Sequence, residues 1–175
     1  WPLFHYFQLF TIYEQSYWQA YCRVNQLFLE AAAKIIRSDD TVWVHDYQLL
    51  LLPGLLREKF PHLSTGFFLH IPFPSFEVFR LLPWRRQILD GLLGADLIGF
   101  HTYDYVRHFL SSVSRLAGLD NTMGQMYLGS RQIQADAFPM GIDYPRYAES
   151  GRKPEVLKEI KKINHGNGLR LIISV

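Results

Sequence analysis

The sequence predicts an α/β fold, a parallel sheet with helices packed on both faces. Two observations predict it. Helix-period and strand-period segments alternate along the chain. The strand segments are apolar throughout rather than alternating, as strands covered on both sides are. A length of 175 residues is enough for one domain with a sizeable core. With 49% hydrophobic and 19% charged residues, the composition is globular and carries no disordered bias.

In order along the chain, residues 14–37 carry Trp18, Tyr21, Cys22, Asn25, Phe28, Leu29 and Ala32 at three- and four-residue spacing, which predicts an amphipathic helix. The β-branched run 41–45 predicts a strand and 47–59 a helix. A second strand follows over 65–70, a helical stretch over 76–93, a third strand over 96–100 and a helix over 103–116. Residues 126–134 read as a hairpin around Gly129-Ser130, and 134–139 as another strand. In 153–163 Val156, Leu157, Ile160 and Ile163 share one face and lysines the other, a helix again. The run 169–175, Leu-Arg-Leu-Ile-Ile-Ser-Val, reads as a buried strand without partners. With the opening at Trp1, this suggests a segment of a longer polypeptide.

Composition removes several classes of function. Lys and Arg exceed Asp and Glu by only two, with no basic block, so nucleic acid is not an expected partner and small molecules are. No apolar run approaches the roughly 18–20 residues a membrane span needs. The single cysteine, Cys22, can form no intrachain disulfide and reads as a buried thiol on an apolar helix face. A cytoplasmic setting is expected. A homo-oligomer stays open.

The chemistry gathers at three strand ends. Val42-Trp43-Val44 ends in His45-Asp46, Gly66-Phe67-Phe68-Leu69 in His70, and Leu97-Ile98-Gly99-Phe100 in His101. In a parallel sheet these ends lie on one edge, and ligands bind in the crevice outside the carboxyl ends of the strands. Asp46 has a second reading, as the cap of a helix beginning at Tyr47. His45 and His101 have structural readings beside the functional one, and Arg80, Arg85 and Arg86 read as a solvated helix face. The clustered histidines leave a metal-dependent hydrolase conceivable. The sequence contains no G-x-G-x-x-G, P-loop, G-x-S-x-G, H-E-x-x-H or C-x-x-C pattern.

The run Val42-Trp-Val-His-Asp-Tyr-Gln-Leu-Leu-Leu-Leu-Pro53 resembles the W-x-H-D-Y-x-L-x-x-x-P signature of the trehalose-6-phosphate synthases, glycosyltransferase family 20. So do Gly66-Phe-Phe-Leu-His-Ile-Pro-Phe-Pro-Ser-Phe-Glu77, Leu97-Ile-Gly-Phe-His-Thr-Tyr-Asp-Tyr105, Phe138-Pro-Met-Gly-Ile-Asp143 and the opening Trp1-Pro-Leu-Phe-His-Tyr6. The resemblance implies two Rossmann-like domains facing a cleft, the GT-B arrangement. It implies transfer of glucose from UDP-glucose to glucose 6-phosphate with retention, and neither a metal nor another cofactor. On that resemblance Trp1 lines the glucose 6-phosphate pocket, Asp46 hydrogen-bonds sugar hydroxyls, His70 contacts the transferred glucose and His101 sits at the pocket edge; His70 and Asp46 are the catalytic candidates.

The same resemblance divides the chain into 1–143, part of the amino-terminal acceptor-side domain, 144–168, a crossover, and 169–175, the first strand of a donor-side domain. The family's Gly-rich loop and its R-L-D-Y-x-K-G stretch fall outside the 175 residues, so the segment alone is expected to be inactive. Two neighbouring readings keep the fold: an acceptor such as glycerol 3-phosphate, or a non-catalytic regulatory homologue.

Overall fold

The apolar runs assemble as strands of one sheet. The computed structural model describes residues 1–163, so the strand expected over 169–175 lies outside the described residues. Two compact units are present, Trp1–Pro139 and a second beginning at Met140.

In the first unit a 3-10 turn at Gln8–Phe10 precedes α1 (Gln15–Ala32), β1 (Thr41–His45), a second 3-10 turn (Tyr47–Leu49), α2 (Leu52–Lys59) and β2 (Ser64–Leu69). Then come α3 (Phe76–Phe79), α4 (Arg85–Leu92), β3 (Leu97–Phe100), α5 (Tyr103–Ala117), β4 (Asn121–Thr122), β5 (Gln125–Leu128) and β6 (Arg131–Ala137). The second unit contains α6 (Tyr144–Ser150) and α7 (Pro154–Ile163). None of the described helices is long and apolar enough to cross a membrane.

The six strands form one sheet in the order β1-β2-β3-β6-β5-β4. β1, β2, β3 and β6 are mutually parallel, and β5 and β4 extend the sheet antiparallel. The register aligns Val44 with Phe67, Phe67 with Ile98 and Ile98 with Ala135. These residues share one face with Leu69, Phe100 and Ile133, and all are buried in one core. Leu52 and Leu56 of α2, Ile88, Leu89 and Leu92 of α4, and Val106, Phe109 and Val113 of α5 fill the other side of that core. Each such fully buried side chain contributes roughly 1.5–3 kcal/mol.

The expected α/β sheet is therefore present, but as a mixed sheet, since β5 and β4 run antiparallel, and with helices on one face rather than two among the described residues. The helices of the first unit cover the Phe67 face. The opposite face, carrying Trp43, His45, Gly66, His70, Leu97 and Gly99, is open in this unit, and Trp43 stands 66% exposed on it.

Several boundaries differ from expectation for identifiable reasons. The helix expected over 47–59 divides because Pro53, which has no N–H to donate, sits in the first turn of α2. The stretch 76–93 divides around Pro83 into α3 and α4. The hairpin limb and the separate strand expected around Gln134 are one strand, β6, paired to β5 on one side and β3 on the other. In the crossover region, α6 forms because Asp143 accepts from the Arg146 N–H at 3.2 Å and Pro145 suits the first helical turn. Cys22, expected to be buried, is only partly so, and burial pushes its thiol pKa up.

At the sheet edge opposite His70, one carboxylate ties three elements together. Asp96 Oδ1 accepts from Arg57 Nη2 at 2.6 Å and from Arg131 Nη1 at 3.4 Å, while Oδ2 accepts from the Thr65 N–H at 2.9 Å. Arg57 also donates to the carbonyls of Gly94 and Pro61, and Arg131 to those of Ala95 and Leu93. Burial lowers the Arg131 pKa, the nearby Arg57 charge lowers it further, and Asp96 opposes both. Asp96→Ala leaves two guanidinium groups facing each other without their shared anion. The expected loss is about 2 kcal/mol, discounted because solvent reaches over a third of the carboxylate. A urea unfolding midpoint unchanged from wild type would contradict it.

Candidate active site

The site begins with a backbone conformation. β1 ends at His45, and Asp46 continues the ladder by donating its N–H to the Phe68 carbonyl at 2.8 Å. Asp46 then turns with φ 71° and ψ 173°, a region that is essentially glycine's. Its carboxylate caps no helix: Oδ1 accepts from the His70 N–H at 3.1 Å instead. The capping reading of Asp46 is thereby replaced by a cross-strand one. Oδ2 takes no hydrogen bond among the described residues.

His45, His70 and His101 follow one another across the C-terminal edge of β1, β2 and β3. His45 Nδ1 and His70 Nε2 are 2.9 Å apart and hydrogen-bonded. The His70 and His101 rings lie 5.6 Å apart between centroids, edge to face. Phe68 underlies both, at 4.8 Å from His70 and 5.0 Å from His101. Gly99 makes room for that ring, since a Cβ there would stand 2.6 Å from Phe68 Cδ2. His45 and His70 are exposed and His101 is half-buried, so the row is open to a ligand.

Two anchors hold the segment after His70. Phe73 is fully buried against Phe4, Phe79, Phe100 and Phe109, and its carbonyl meets His108 Nδ1 at 3.1 Å. Tyr6 Oη accepts from the Ser75 N–H at 2.9 Å, which ties the N-terminal segment to the same loop. Thr102 caps α5 by accepting from the Tyr105 N–H, and this fixes the chain just after His101.

Trp1 stands elsewhere. Its ring stacks on His5 at 4.1 Å and it lines a cavity of about 510 Å³ with Trp18, Tyr21, Tyr47 and Trp84. No hydrogen bond or ring contact joins Trp1 to Asp46, His70 or His101 among the described residues. The two places meet at Tyr47 and Gln48, which line the cavity immediately after Asp46. Among the described residues no Lys or Arg lines that cavity; its wall suits the apolar face of a ring rather than a phosphate. Arg80 and Arg85 bind local partners, Glu77 and the Leu82 carbonyl, while Arg86 pairs with Asp90 one turn on and donates to the Leu116 carbonyl of α5.

The sequence reading missed how α1 holds the Asp46 turn. Tyr21 Oη donates to the Tyr47 carbonyl at 2.7 Å and accepts from the Leu50 N–H at 3.0 Å. Asn25, fully buried, donates from Nδ2 to the carbonyls of Tyr21 and Gln48. Burial pushes the Tyr21 hydroxyl pKa well up. The four-residue spacing of Tyr21 and Asn25 on one helix face was visible, but their targets lie 23–29 residues away. Tyr21→Phe strands the Leu50 N–H and the Tyr47 carbonyl, at an expected cost of about 1–3 kcal/mol. Urea unfolding measures it, and an unchanged midpoint would mean that the Tyr21 hydroxyl does not hold the Asp46 turn.

Among the described residues no group of three or more His, Cys, Asp or Glu side chains is gathered to hold a metal ion. The His45 and His70 nitrogens that face each other bind each other. What the edge offers is hydrogen bonding: a carboxylate oxygen and imidazole nitrogens gathered at the C-terminal ends of the strands and reached by solvent, the groups that read sugar hydroxyls.

The model of glycosyltransferase family 20 matches residues 1–175 of the chain. The chain belongs to glycosyltransferase family 20. It is 44% identical to the alpha,alpha-trehalose-phosphate synthase [UDP-forming] of Yarrowia lipolytica, covering 100% of this chain and 39% of that protein. Among solved structures, it is similar to the N-terminal domain of Candida albicans trehalose-6-phosphate phosphatase. There the TM-score is 0.84 and the identity 38%, over 95% of this chain and 37% of that one. It is similar too to the Burkholderia xenovorans alpha,alpha-trehalose-phosphate synthase (UDP-forming) in complex with glucose-6-phosphate. The TM-score is 0.81 and the identity 30%, over 93% of this chain and 38% of that one. The chain thus spans about two fifths of the length of each of these three proteins.

Proposed function

We propose that this chain forms the acceptor-side part of a retaining glucosyltransferase that moves glucose from UDP-glucose to glucose 6-phosphate, giving trehalose 6-phosphate and UDP. The observation that carries the reading is the Asp46–His70 pairing at the C-terminal strand edge, in a family 20 chain similar over its full length to a UDP-forming trehalose-phosphate synthase. In this reading residues 1–143 supply the acceptor-side wall, and the crossover toward a donor-side domain begins at residue 144. The compartment is the cytoplasm, where a lone Cys22 stays reduced.

In the step, the bond from glucose C1 to the UDP β-phosphate oxygen breaks and its electron pair leaves with UDP. The O1 of glucose 6-phosphate bonds to C1 from the same face, and its proton passes to the departing diphosphate. Positive charge develops at the sugar ring, so the protein's work is orientation and charge stabilisation. Asp46 Oδ2 accepts from a sugar hydroxyl. His70 addresses the transferred glucose through its outward nitrogen, with His101 at the rim, and Trp1 offers a ring wall to the acceptor.

The test incubates the full-length protein with both substrates and separates products by anion exchange. Trehalose 6-phosphate equimolar with UDP is expected, and no sugar transfer by the 175-residue segment alone. A higher kcat/KM with glycerol 3-phosphate overturns the acceptor. One observation favours a regulatory homologue, the likeness to the N-terminal domain of a phosphatase. Glucose 6-phosphate binding without UDP release would select that alternative.

A further inference from the structure

We infer that His45 is a positioning residue for His70: it grips the imidazole through the Nδ1···Nε2 hydrogen bond and locks it in one tautomer, leaving Nδ1 of His70 as the nitrogen presented to the sugar. The kinetic part of this inference rests on the glucosyl-transfer reading; the tautomer part does not.

A neutral imidazole has one N–H and one lone pair. A hydrogen bond between two such rings needs one of each, so the 2.9 Å contact links the proton positions of both residues. Whichever ring donates, His70 Nε2 is engaged by His45 and cannot also meet a ligand hydroxyl. Its Nδ1 has no partner among the described residues, and its role, donor or acceptor, is the complement of the one Nε2 takes in the pair. An isolated exposed histidine would sample both tautomers and several rotamers.

The surroundings make His45 suited to this. Its ring packs at 4.5 Å from Trp43 on the same open face, which limits its own rotation. The parallel register sets His45 beside Phe68, two residues before His70 and on the same face of the sheet. Asp46 meanwhile accepts from the His70 main-chain N–H. Two consecutive residues therefore hold His70, one by its backbone and one by its ring. A merely packed histidine would need the Trp43 contact but not the nitrogen-to-nitrogen contact.

The two can be separated. His45→Phe keeps a ring against Trp43 and removes the hydrogen bond. His45→Asn puts a polar atom the same number of bonds from Cα as Nδ1. In the full-length protein, His45→Phe is expected to lower kcat about 10- to 100-fold with little change in KM for glucose 6-phosphate, and His45→Asn to recover most of the loss. The ¹⁵N spectrum of ¹⁵N-histidine-labelled protein should report a single His70 tautomer in the wild type and a mixture in His45→Phe. A kcat for His45→Phe equal to wild type overturns the positioning role. A mixed tautomer in the wild type, or one unmoved by His45→Phe, overturns the lock. Absence of transfer by the wild type would instead overturn the proposed reaction and leave the tautomer readout standing.

Discussion

Asp46→Gly should abolish at least about 99% of glucosyl transfer while leaving the protein as stable as the wild type, a dissociation few active-site changes produce. At φ 71° and ψ 173° the Asp46 backbone sits where a side chain costs about 1–3 kcal/mol. Glycine removes that strain. Against it stand the lost hydrogen bond from the His70 N–H, worth about 1 kcal/mol, and the larger unfolded-state entropy of glycine, about 0.4–1 kcal/mol. His70 is exposed, so water replaces the missing carboxylate without a burial penalty. The opposing contributions nearly cancel. Asp46→Ala loses the same hydrogen bond and keeps the strain, so it should be the less stable variant. Urea midpoints and initial rates of trehalose 6-phosphate formation, measured on all three proteins, check the ordering. A glycine variant more than about 2 kcal/mol below wild type, or one that still transfers glucose, would sever the link between this conformation and the chemistry.

That conformation also marks where reading the sequence stopped. The strand ends were legible because His45-Asp46, His70 and His101 each close an apolar run, and a parallel sheet can only bring such ends to one edge. Their facing was not legible. It depends on the register that sets His45 beside Phe68, and register comes from the sheet as a whole. The positive φ of Asp46 has no signature in a residue that is also a common helix cap. Trp1 was grouped with Asp46 and His70 on resemblance; its ring lines the aromatic cavity, whose wall includes Tyr47 and Gln48, the two residues after Asp46. Helices were legible where the apolar spacing ran unbroken, as in α5, and were misread where Pro53 and Pro83 cut a continuous pattern. α6 was hidden by a Gly- and Pro-rich neighbourhood, although Asp143 followed by Pro145 is a helix-start signal in its own right.

Gly94→Ala should destabilise the first unit by about 3 kcal/mol or more, although it adds a single methyl group. A Cβ at Gly94 would stand 2.4 Å from the Gly54 Cα, the Gly54 N and the Pro53 carbonyl oxygen, all backbone atoms that no rotamer change can move. The neighbouring contacts are as close: a Cβ on Gly91 would lie 2.5 Å from the Leu50 oxygen, and one on Gly54 2.9 Å from the Gly91 Cα. α2 and the end of α4 thus touch main chain to main chain, and the added methyl must push α2 away as a body. Leu52 and Leu56, buried in the core, move with it. So does the turn that begins at Asp46, because only residues 47–51 separate Asp46 from α2. The variant should therefore lose transfer activity along with stability, unlike Asp46→Gly. Gly141→Ala is the matched control, since its Cβ would meet nothing within 4 Å and its φ is not positive. Thermal unfolding of both variants decides the matter: Gly94→Ala melting with Gly141→Ala and wild type would mean that the contact yields, and that α2 is held in place by its leucines rather than by the glycine seam.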